Sequence, residues 1–351
     1  MKFYKLEFAV WSAALVLTAV LGVAMAAPSS GYHLLKKYSF GAAEGSTREY
    51  FDYVTVDSQA RRVYLSHGTE VKVINADTGA LVGNITGLKL DHGVAVAKEF
   101  DRGFISDGAE GKVVMFDLKT LKTTGEAKAE KDADCVTYDP ASKRVFVMEG
   151  DANSATVIDA KSGSVVGTIS LGGAPEFAVP DGNGTVYANL EDKNELVAID
   201  SHSLKIKSRW PVAPAGGPTA LAIDVVHHRL FSAGRNPQML VVMDSENGKV
   251  IQSFPISAGA DAAAYDPETG LIFASTRDGM VHVFHEDSPD KYSEVEAVKT
   301  EYGAKTMGLD TKTHNLFLDT ADFAPVPAQS AGQQPRRAAV QGTFRVLVYG
   351  K

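Results

Sequence analysis

Cysteine and tryptophan are nearly absent from this sequence of 351 residues. Cys135 is the only cysteine, so no disulfide can form within the chain, and the fold has to be held together by buried apolar surface. Cys135 lies in an apolar run, where we expect a buried, inert thiol and not a nucleophile. Trp210 is the only tryptophan beyond the N-terminal segment, and the Trp-Asp signature of WD40 repeats is missing.

Common catalytic motifs are also missing. The chain has no Gly-x-Ser-x-Gly elbow, no His-Glu-x-x-His motif and no Gly-rich phosphate-binding loop, and its single cysteine excludes a Cys-x-x-Cys-His haem attachment. Positive charge is in short supply, since 35 Lys and Arg stand against 43 Asp and Glu, for a net charge of -8. An acidic protein repels phosphate backbones, so nucleic acid is not an expected partner.

Long hydrophobic runs are absent except at the N-terminus. There Lys2 and Lys5 precede an apolar run over residues 8–23, and Ala24-Met25-Ala26 follows it. This order of basic start, apolar run and small residues predicts a signal peptide over residues 1–26, cleaved to give an exported, periplasmic or secreted chain. A membrane anchor is the alternative, but a run of about 16 residues is short for a bilayer span of about 20. We expect no membrane span in the mature chain.

What the sequence does contain is one pattern, repeated along the mature chain. Each copy has an apolar stretch that ends near Asp, a turn, an aliphatic-aromatic pair, and two further strands separated by turns rich in Gly and Ser. The clearest copies are residues 54–85, 136–169, 221–254 and 263–284. The last residue of each first stretch, here called the marker residue, recurs every 40 to 44 residues, at Asp57, Ala97, Asp139, Pro180, Asp224, Asp266 and Asp310.

A period of about 40–45 residues with four short strands is typical of a propeller blade. We therefore predict an all-β fold for residues 27–351, a seven-bladed β-propeller of four-stranded antiparallel blades. The seventh copy lacks a fourth strand, and Tyr32–Phe40 is expected to supply it by pairing beside Thr343–Tyr349, which closes the ring and removes free edges. Residues 322–342, rich in Pro, Ala and Gln, predict a long loop within the last blade.

The repeats resemble a known family. Residues 62–82 read RVYLSHGTEVKVINADTGALV, and residues 144–169 read RVFVMEGDANSATVIDAKSGSVVGTI. They resemble the YVTN-repeat β-propellers, also called the YncE-like family, although Leu65-Ser66 and Val147-Met148 replace the Thr-Asn of the family motif. The resemblance implies a bacterial exported propeller. It implies no particular activity, because a fold does not determine a function.

A ligand site is expected at the face of the ring where the first strand of each blade begins, since the second strand returns to the same face. Five residues before their markers stand Asp52, His92, Asp134, Asp261 and Lys305. Glu176 stands four residues before its marker, Pro180. Near the ends of the second strands stand His67, Asp107, Glu149, Arg235 and Arg277. Four pairs are 15 residues apart and are expected to meet: Asp52 with His67, His92 with Asp107, Asp134 with Glu149, and Glu176 with Glu191.

The expected mouth is polarised, with carboxylates and imidazoles on one half and cations on the other. Asp52, His92 and Asp134 are the candidate ligands of a divalent metal ion, because imidazole and carboxylate groups bind such ions. The cations would hold an anionic group. Solvated turns that carry no ligand are the alternative.

The sequence favours a binding or scaffold module of the cell envelope that is not an enzyme, whose partner is an envelope protein or a small ligand. No cofactor is evident apart from the candidate divalent metal ion. One alternative is a metal-dependent hydrolase or lactonase with its site in the channel mouth. Another, by analogy of fold alone, is an accessory to periplasmic redox enzymes. Metal analysis would separate the first two functions.

Overall fold

The structure is a computed structural model that describes residues 1–3, 30–326 and 336–351. The predicted signal peptide, residues 1–26, lies outside the described residues apart from Met1–Phe3, as does the middle of the predicted loop, residues 327–335. Within the described part no helix has the length and apolar character needed to cross a membrane. The only helices described there are two single-turn 3-10 helices, Lys98–Phe100 and Glu191–Lys193.

The described strands form seven blades of four antiparallel strands each. The first strand of the described residues, β1 (His33–Ser39), belongs to the last blade. Blades one to three comprise β2 (Val54–Asp57), β3 (Arg62–Ser66), β4 (Gly68–Asn75), β5 (Leu81–Ala97), β6 (Arg102–Asp107), β7 (Lys112–Asp117), β8 (Thr123–Lys128), β9 (Ala133–Asp139), β10 (Arg144–Glu149), β11 (Ser154–Asp159) and β12 (Val165–Ser170). The long strand β5 is both the fourth strand of blade one and the first strand of blade two.

The remaining blades follow the same order. Blades four to six comprise β13 (Pro175–Pro180), β14 (Thr185–Leu190), β15 (Glu195–Asp200), β16 (Lys205–Pro211), β17 (Pro218–Asp224), β18 (Arg229–Arg235), β19 (Gln238–Asp244), β20 (Val250–Pro255), β21 (Ala260–Asp266), β22 (Leu271–Thr276), β23 (Met280–Ser288) and β24 (Lys291–Lys299). Blade seven and its insertion comprise β25 (Met307–Asp310), β26 (Asn315–Thr320), β27 (Phe323–Val326), β28 (Arg336–Ala339) and β29 (Arg345–Gly350).

The N-terminal strand completes blade seven. Strand β1 pairs antiparallel with β29, from His33 opposite Gly350 to Ser39 opposite Arg345, and the blade has the order β1-β29-β26-β25. The predicted closure of a seven-bladed ring by the N-terminal strand is therefore confirmed. This pairing joins the two ends of the described chain, so the third strand of the last blade, β29, is paired on both sides.

The insertion in blade seven differs from the loop that we predicted. Its two ends form a hairpin, in which β27 pairs with β28 from Phe323 opposite Ala339 to Val326 opposite Arg336. Phe323 packs edge-on against Phe51 and Tyr302, with ring centroids 6.5 and 5.1 Å away. The composition of the segment does not predict these strands. Its single aromatic residue, Phe323, packs against aromatic rings outside the segment.

Buried apolar side chains form seven clusters in the described chain, one at each boundary between neighbouring blades. The repeat explains this arrangement, because the residue seven positions after each marker is an aromatic that the second strand buries. These aromatics are Tyr64, Phe104, Phe146, Tyr187, Phe231, Phe273 and Phe317. Burying an aromatic stabilises by roughly 1.5–3 kcal/mol. Cys135 belongs to the cluster between blades three and four, where burial raises the pKa of its thiol.

Glycines in some turns between third and fourth strands lie against the preceding blade. Gly79 and Gly248 have φ of 69° and 75°, in the left-handed region that a side chain disfavours. A Cβ on Gly79 would overlap the ring of Tyr38, and a Cβ on Gly248 would overlap the ring of Trp210. The missing side chain therefore makes room for an aromatic of the neighbouring blade.

We expect Gly248→Ala to lower the free energy of unfolding by roughly 2–4 kcal/mol, the sum of a left-handed backbone penalty and overpacking. The matched control is Gly45→Ala, since Gly45 has φ of 74° and a Cβ at that position would meet no atom within 4 Å. That variant should lose only about 1–2 kcal/mol. Urea denaturation of both variants measures the difference, and equal losses would contradict a packing role for Gly248.

Candidate functional site

The first strands of the blades neighbour one another around a central channel. At the face where these strands begin lies a cavity of about 90 Å³, here called the channel mouth, lined by Asp52, Tyr53, Asp134, Glu176, Arg235, Asp261, Lys305 and Thr306. Six of these eight residues are among the candidates that the sequence supplied. Each comes from the start of a first strand or the end of a second strand, so the repeat brings side chains from distant parts of the chain together.

Two partly buried cations hold one side of the channel mouth. The Lys305 Nζ lies 2.9 Å from Asp52 Oδ1 and also pairs with Asp261. Burial opposes the charge of Lys305, but Asp261 and Asp52 outweigh it and raise the pKa of the ammonium above its usual range. Arg235 pairs with Asp261 as well and lies 3.1 Å from Glu191 Oε1. Both cations are therefore already balanced by carboxylates of the chain itself.

His92 joins two carboxylates. Its Nδ1 lies 2.9 Å from Asp52 Oδ2, 3.1 Å from Asp134 Oδ1 and 2.9 Å from the Tyr50 hydroxyl. Burial disfavours the imidazolium, but hydrogen bonds to Asp134 and Asp52 outweigh burial and raise the pKa of His92 to about 10. The same contacts and Lys305 outweigh the burial of Asp52 and lower the pKa of its carboxyl. His92 is thus a cation at neutral pH.

The other side of the channel mouth has more carboxyl groups than cations. Burial raises the pKa of Asp134 even though His92 donates to it, and the charge of Asp52 acts in the same direction. Burial, the charge of Asp134 and a hydrogen bond with Glu191 raise the pKa of Glu176 to about 9. Five carboxylates (Asp52, Asp134, Glu176, Glu191 and Asp261) therefore face three cations (His92, Arg235 and Lys305), and the excess lies at Asp134 and Glu176.

Three candidates from the sequence lie away from the channel mouth. His67 is fully buried, with its Nε2 2.5 Å from Glu49 Oε1 and its ring stacked on Phe344. Asp107 accepts hydrogen bonds from the amides of Lys89 and Leu90, at 3.0 and 3.1 Å. Glu149 accepts a hydrogen bond of 2.9 Å from the amide of Glu130.

The expectation that residues 15 positions apart meet is therefore wrong for three of the four pairs. Only Glu176 and Glu191 share a hydrogen bond. Successive side chains of a strand point to opposite faces. Where one residue near the end of a second strand faces the channel, the next residue therefore points away from it. Asp107 instead accepts hydrogen bonds from two backbone amides of β5, and Glu149 accepts one from the backbone between β8 and β9.

Arg277 is exposed and lines a different cavity of about 260 Å³. Lys305 lines this cavity as well as the channel mouth, so the two spaces adjoin at that side chain. The other lining residues are Glu49, Tyr50, Phe51, Gly303, Phe323 and Ala339. This adjoining cavity therefore combines an aromatic wall with two cations and one carboxylate.

The candidate metal ligands from the sequence do come together. Asp52, His92 and Asp134 each offer a ligand atom, and these atoms lie within 4.8 Å of one another. Two carboxylates and one imidazole are ligands that Zn²⁺ accepts. Bound metal would have to displace the proton of His92, however, and compete with Lys305 for Asp52. Metal binding by Asp52, His92 and Asp134 is therefore favoured at high pH, where His92 gives up its proton more readily.

Two tyrosines beside Asp52 were not among the candidates from the sequence. The Tyr50 hydroxyl donates to Asp52 Oδ2 at 3.2 Å, and the Tyr53 hydroxyl donates to Asp134 Oδ2 at 3.4 Å. Both precede the first strand of blade one, in a segment that reads Tyr-Phe-Asp-Tyr over residues 50–53. Hydroxyl-bearing aromatics on both sides of a candidate carboxylate were the signal that could have identified them.

Comparisons with known proteins identify the fold and nothing finer. No protein-family model and no curated protein sequence matches the chain. A chain of Kuenenia stuttgartiensis hydrazine synthase is similar in structure, with a TM-score of 0.68 and 15% identity, over 79% of this chain and 96% of its own.

Two further solved structures are similar. A chain of the mitotic checkpoint complex has a TM-score of 0.70 and 12% identity, over 95% of this chain and 98% of its own. U3-55K has a TM-score of 0.70 and 8% identity, over 91% of this chain and 99% of its own. At such identities these similarities show the propeller fold alone.

We expect Glu176→Gln to change how stability depends on pH. The folded protein holds the proton of Glu176 to about pH 9, whereas the ordinary pKa is 4.5, so ionisation makes the wild type less stable as the pH rises between these values. The variant should match the wild type near pH 5 and be the more stable protein at pH 8, with the difference growing by at most about 1.4 kcal/mol per pH unit.

Urea denaturation from pH 5 to pH 8 measures this difference. Asp91 and Asp319, whose pKa values burial raises to about 8, act in the same direction but are present in both proteins. Glu246→Gln, which changes an exposed carboxylate, is the control and should follow the wild type. A constant difference between Glu176→Gln and the wild type over this range would contradict the protonated Glu176.

Proposed function

We propose that this chain is an exported binding propeller of the YVTN-repeat kind, and that its channel mouth binds a small amine. The observation that carries the proposal is the excess of buried carboxylate at Asp134 and Glu176, next to a cavity of about 90 Å³. Buried carboxylates without matching cations favour a positively charged ligand, because the ligand relieves both their repulsion and their lack of partners.

The proposed ligand is defined by the two adjoining cavities. An ammonium group donates charge-assisted hydrogen bonds to carboxylates, which are the stronger class of hydrogen bond. The channel mouth has room for such a group and a few water molecules, and the adjoining cavity of about 260 Å³ offers the rings of Phe51 and Phe323 to the rest of the ligand. Net charge, at -8, also favours a cationic ligand over an anionic one.

Export and family membership rest on the sequence. The signal-like segment over residues 1–26 supports export to the periplasm or the medium, and the repeats quoted above support the YVTN-repeat family. A rigid closed ring with a polar cavity on one face suits a binding module of the cell envelope. An envelope protein that inserts a lysine side chain would present the same amine to the channel mouth.

A metal-dependent hydrolase is the second candidate function. Asp52, His92 and Asp134 favour it, because their ligand atoms lie within 4.8 Å of one another in the channel mouth. Three protein ligands would leave Zn²⁺ an open position, as catalytic zinc sites have. This function requires that His92 give up the proton that its two carboxylates stabilise.

We expect a small amine to raise the melting temperature of the wild type, by about 2.7 kcal/mol of added stability at a hundredfold excess over its dissociation constant. A thermal-shift series with ethylenediamine, lysine and spermidine measures this effect at pH 7. Asp134→Asn and Glu176→Gln should weaken binding at least tenfold, since each removes a carboxyl group that can ionise against the bound ammonium, whereas the surface control Glu246→Gln should leave it unchanged. No shift with any amine would contradict the proposal.

The same assay with Zn²⁺ at pH 7 and pH 9 tests the hydrolase. A Zn²⁺ effect that grows with pH, disappears in His92→Ala and accompanies ester or lactone hydrolysis would replace the amine-binding function by the second candidate.

Export makes a separate prediction, that protein recovered from the envelope fraction begins at Ala27. N-terminal sequencing measures it, and an Ala24→Leu, Ala26→Leu variant is the control, because bulky residues block the small-x-small cleavage site. Full-length chain that resists carbonate extraction from the membrane would show an anchor instead.

A further inference from the structure

On the face opposite the channel mouth, marker carboxylates of one blade pair with cations of the next. Asp310 of blade seven pairs with Arg61 of blade one at 2.8 Å, and Asp266 of blade six pairs with His314 of blade seven at 2.7 Å. Arg61 and His314 hold the same place in the repeat, four residues after the marker, with φ of 56° and 60°. The repeat thus places a cation over a buried carboxylate at these blade boundaries.

The boundary between blades five and six differs from these two. The residue four positions after the marker of blade six is Gly270, which has no side chain to offer. The marker of blade five, Asp224, instead shares the boundary with Glu286 of β23, and both side chains are almost fully buried. Two carboxylates meet here, whereas Asp310 and Asp266 each meet a basic side chain, and in the described chain neither Asp224 nor Glu286 forms an ion pair with Lys or Arg.

His227 lies between these two carboxylates. Its Nδ1 is 2.6 Å from Asp224 Oδ2 and 3.0 Å from Glu286 Oε1. The three ligand atoms lie within 4.8 Å of one another, and the side chain of His227 is 43% exposed, so the cluster is open to water on one side.

An unsatisfied atom points into the same space. Glu286 Oε1 is buried and accepts no hydrogen bond within the described chain, whereas Glu286 Oε2 accepts one of 2.7 Å from the Tyr265 hydroxyl. A buried carboxylate oxygen without a hydrogen bond is costly unless a ligand completes it. The unpartnered oxygen of Glu286 and the missing side chain at Gly270 are independent observations. Both favour a bound cation between Asp224 and Glu286.

We propose that Asp224, His227 and Glu286 bind a divalent metal ion of the zinc class at the boundary between blades five and six. Two carboxylate oxygens and one imidazole nitrogen are zinc ligands, and a water molecule completes the tetrahedron from the exposed side. Calcium and magnesium prefer more oxygen ligands and no nitrogen. The metal takes the place beside the buried carboxylate that Arg61 and His314 take at their boundaries.

This boundary site and the channel mouth differ in their competing cations. In the channel mouth Lys305 already holds Asp52, and the proton on His92 is stabilised by two carboxylates. At the boundary site Tyr265 donates to Glu286 Oε2 and the Val226 amide donates to Asp224 Oδ1, which leaves Glu286 Oε1 open to the ion. The two sites can therefore be tested separately, and the boundary site does not rest on the proposed amine-binding function.

Zn²⁺ titration of EDTA-treated mature protein by isothermal calorimetry at pH 7 tests the boundary site. We expect one bound Zn²⁺ per chain and a melting temperature that rises with Zn²⁺ concentration. His227→Ala and Glu286→Gln should each weaken binding at least tenfold. His314→Ala is the matched control, because His314 lies on the same face with one buried carboxylate. This control variant should bind Zn²⁺ as the wild type does.

Two further measurements guard against misfolded variants. Without metal, Glu286→Gln should melt no lower than the wild type, because it removes one of two like charges. Co²⁺ in place of Zn²⁺ should give the intense visible absorption of a tetrahedral site in the wild type and in His314→Ala, and not in His227→Ala. The proposal is overturned if the wild type binds no Zn²⁺, or if His227→Ala and Glu286→Gln bind it unchanged.

Discussion

Packing of each blade against the next is the constraint on which the rest of the structure depends. A blade of four strands cannot bury both of its faces alone, and here each boundary between blades has its own apolar cluster. The ring must therefore close before the last boundary can be buried, and the pairing of β1 with β29 closes it. Without disulfides, this closure and the seven buried clusters carry the stability of the fold.

Closure also decides where charge can collect. Because the first strands begin at one face, side chains more than 200 residues apart in the sequence, such as Asp52 and Lys305, become ion-pair partners. For Asp52 and His92 the ion pairs and hydrogen bonds outweigh burial, so the pKa of Asp52 falls and that of His92 rises, whereas burial and the charge of Asp134 raise the pKa of Glu176. The channel mouth is therefore a network that is balanced on the Lys305 side and unbalanced on the Asp134 side, which is the physical basis for binding a cation there.

The two charged clusters at opposite faces show how small departures from a repeat create sites. At the channel mouth, most blades contribute a different ionisable residue at one repeated position. At the boundary between blades five and six, Gly270 stands where blades one and seven have Arg61 and His314, and a buried glutamate from a third strand faces the marker Asp224. In both places the fold supplies equivalent positions, and the residues that differ between blades determine the chemistry.

The sequence by itself determined the blade count, the strand order and the closing strand, because the period, the markers and the buried aromatics are local features that recur in every copy. It also determined which residues begin the first strands, and Asp52, His92 and Asp134 do meet. Only the tertiary structure decided the orientation of side chains at the ends of the second strands, where alternation turned His67, Asp107 and Glu149 away from the channel. It alone brought Tyr50 to His92 and Glu286 to Asp224, because contacts between blades depend on how neighbouring sheets pack, and no repeat period encodes that packing.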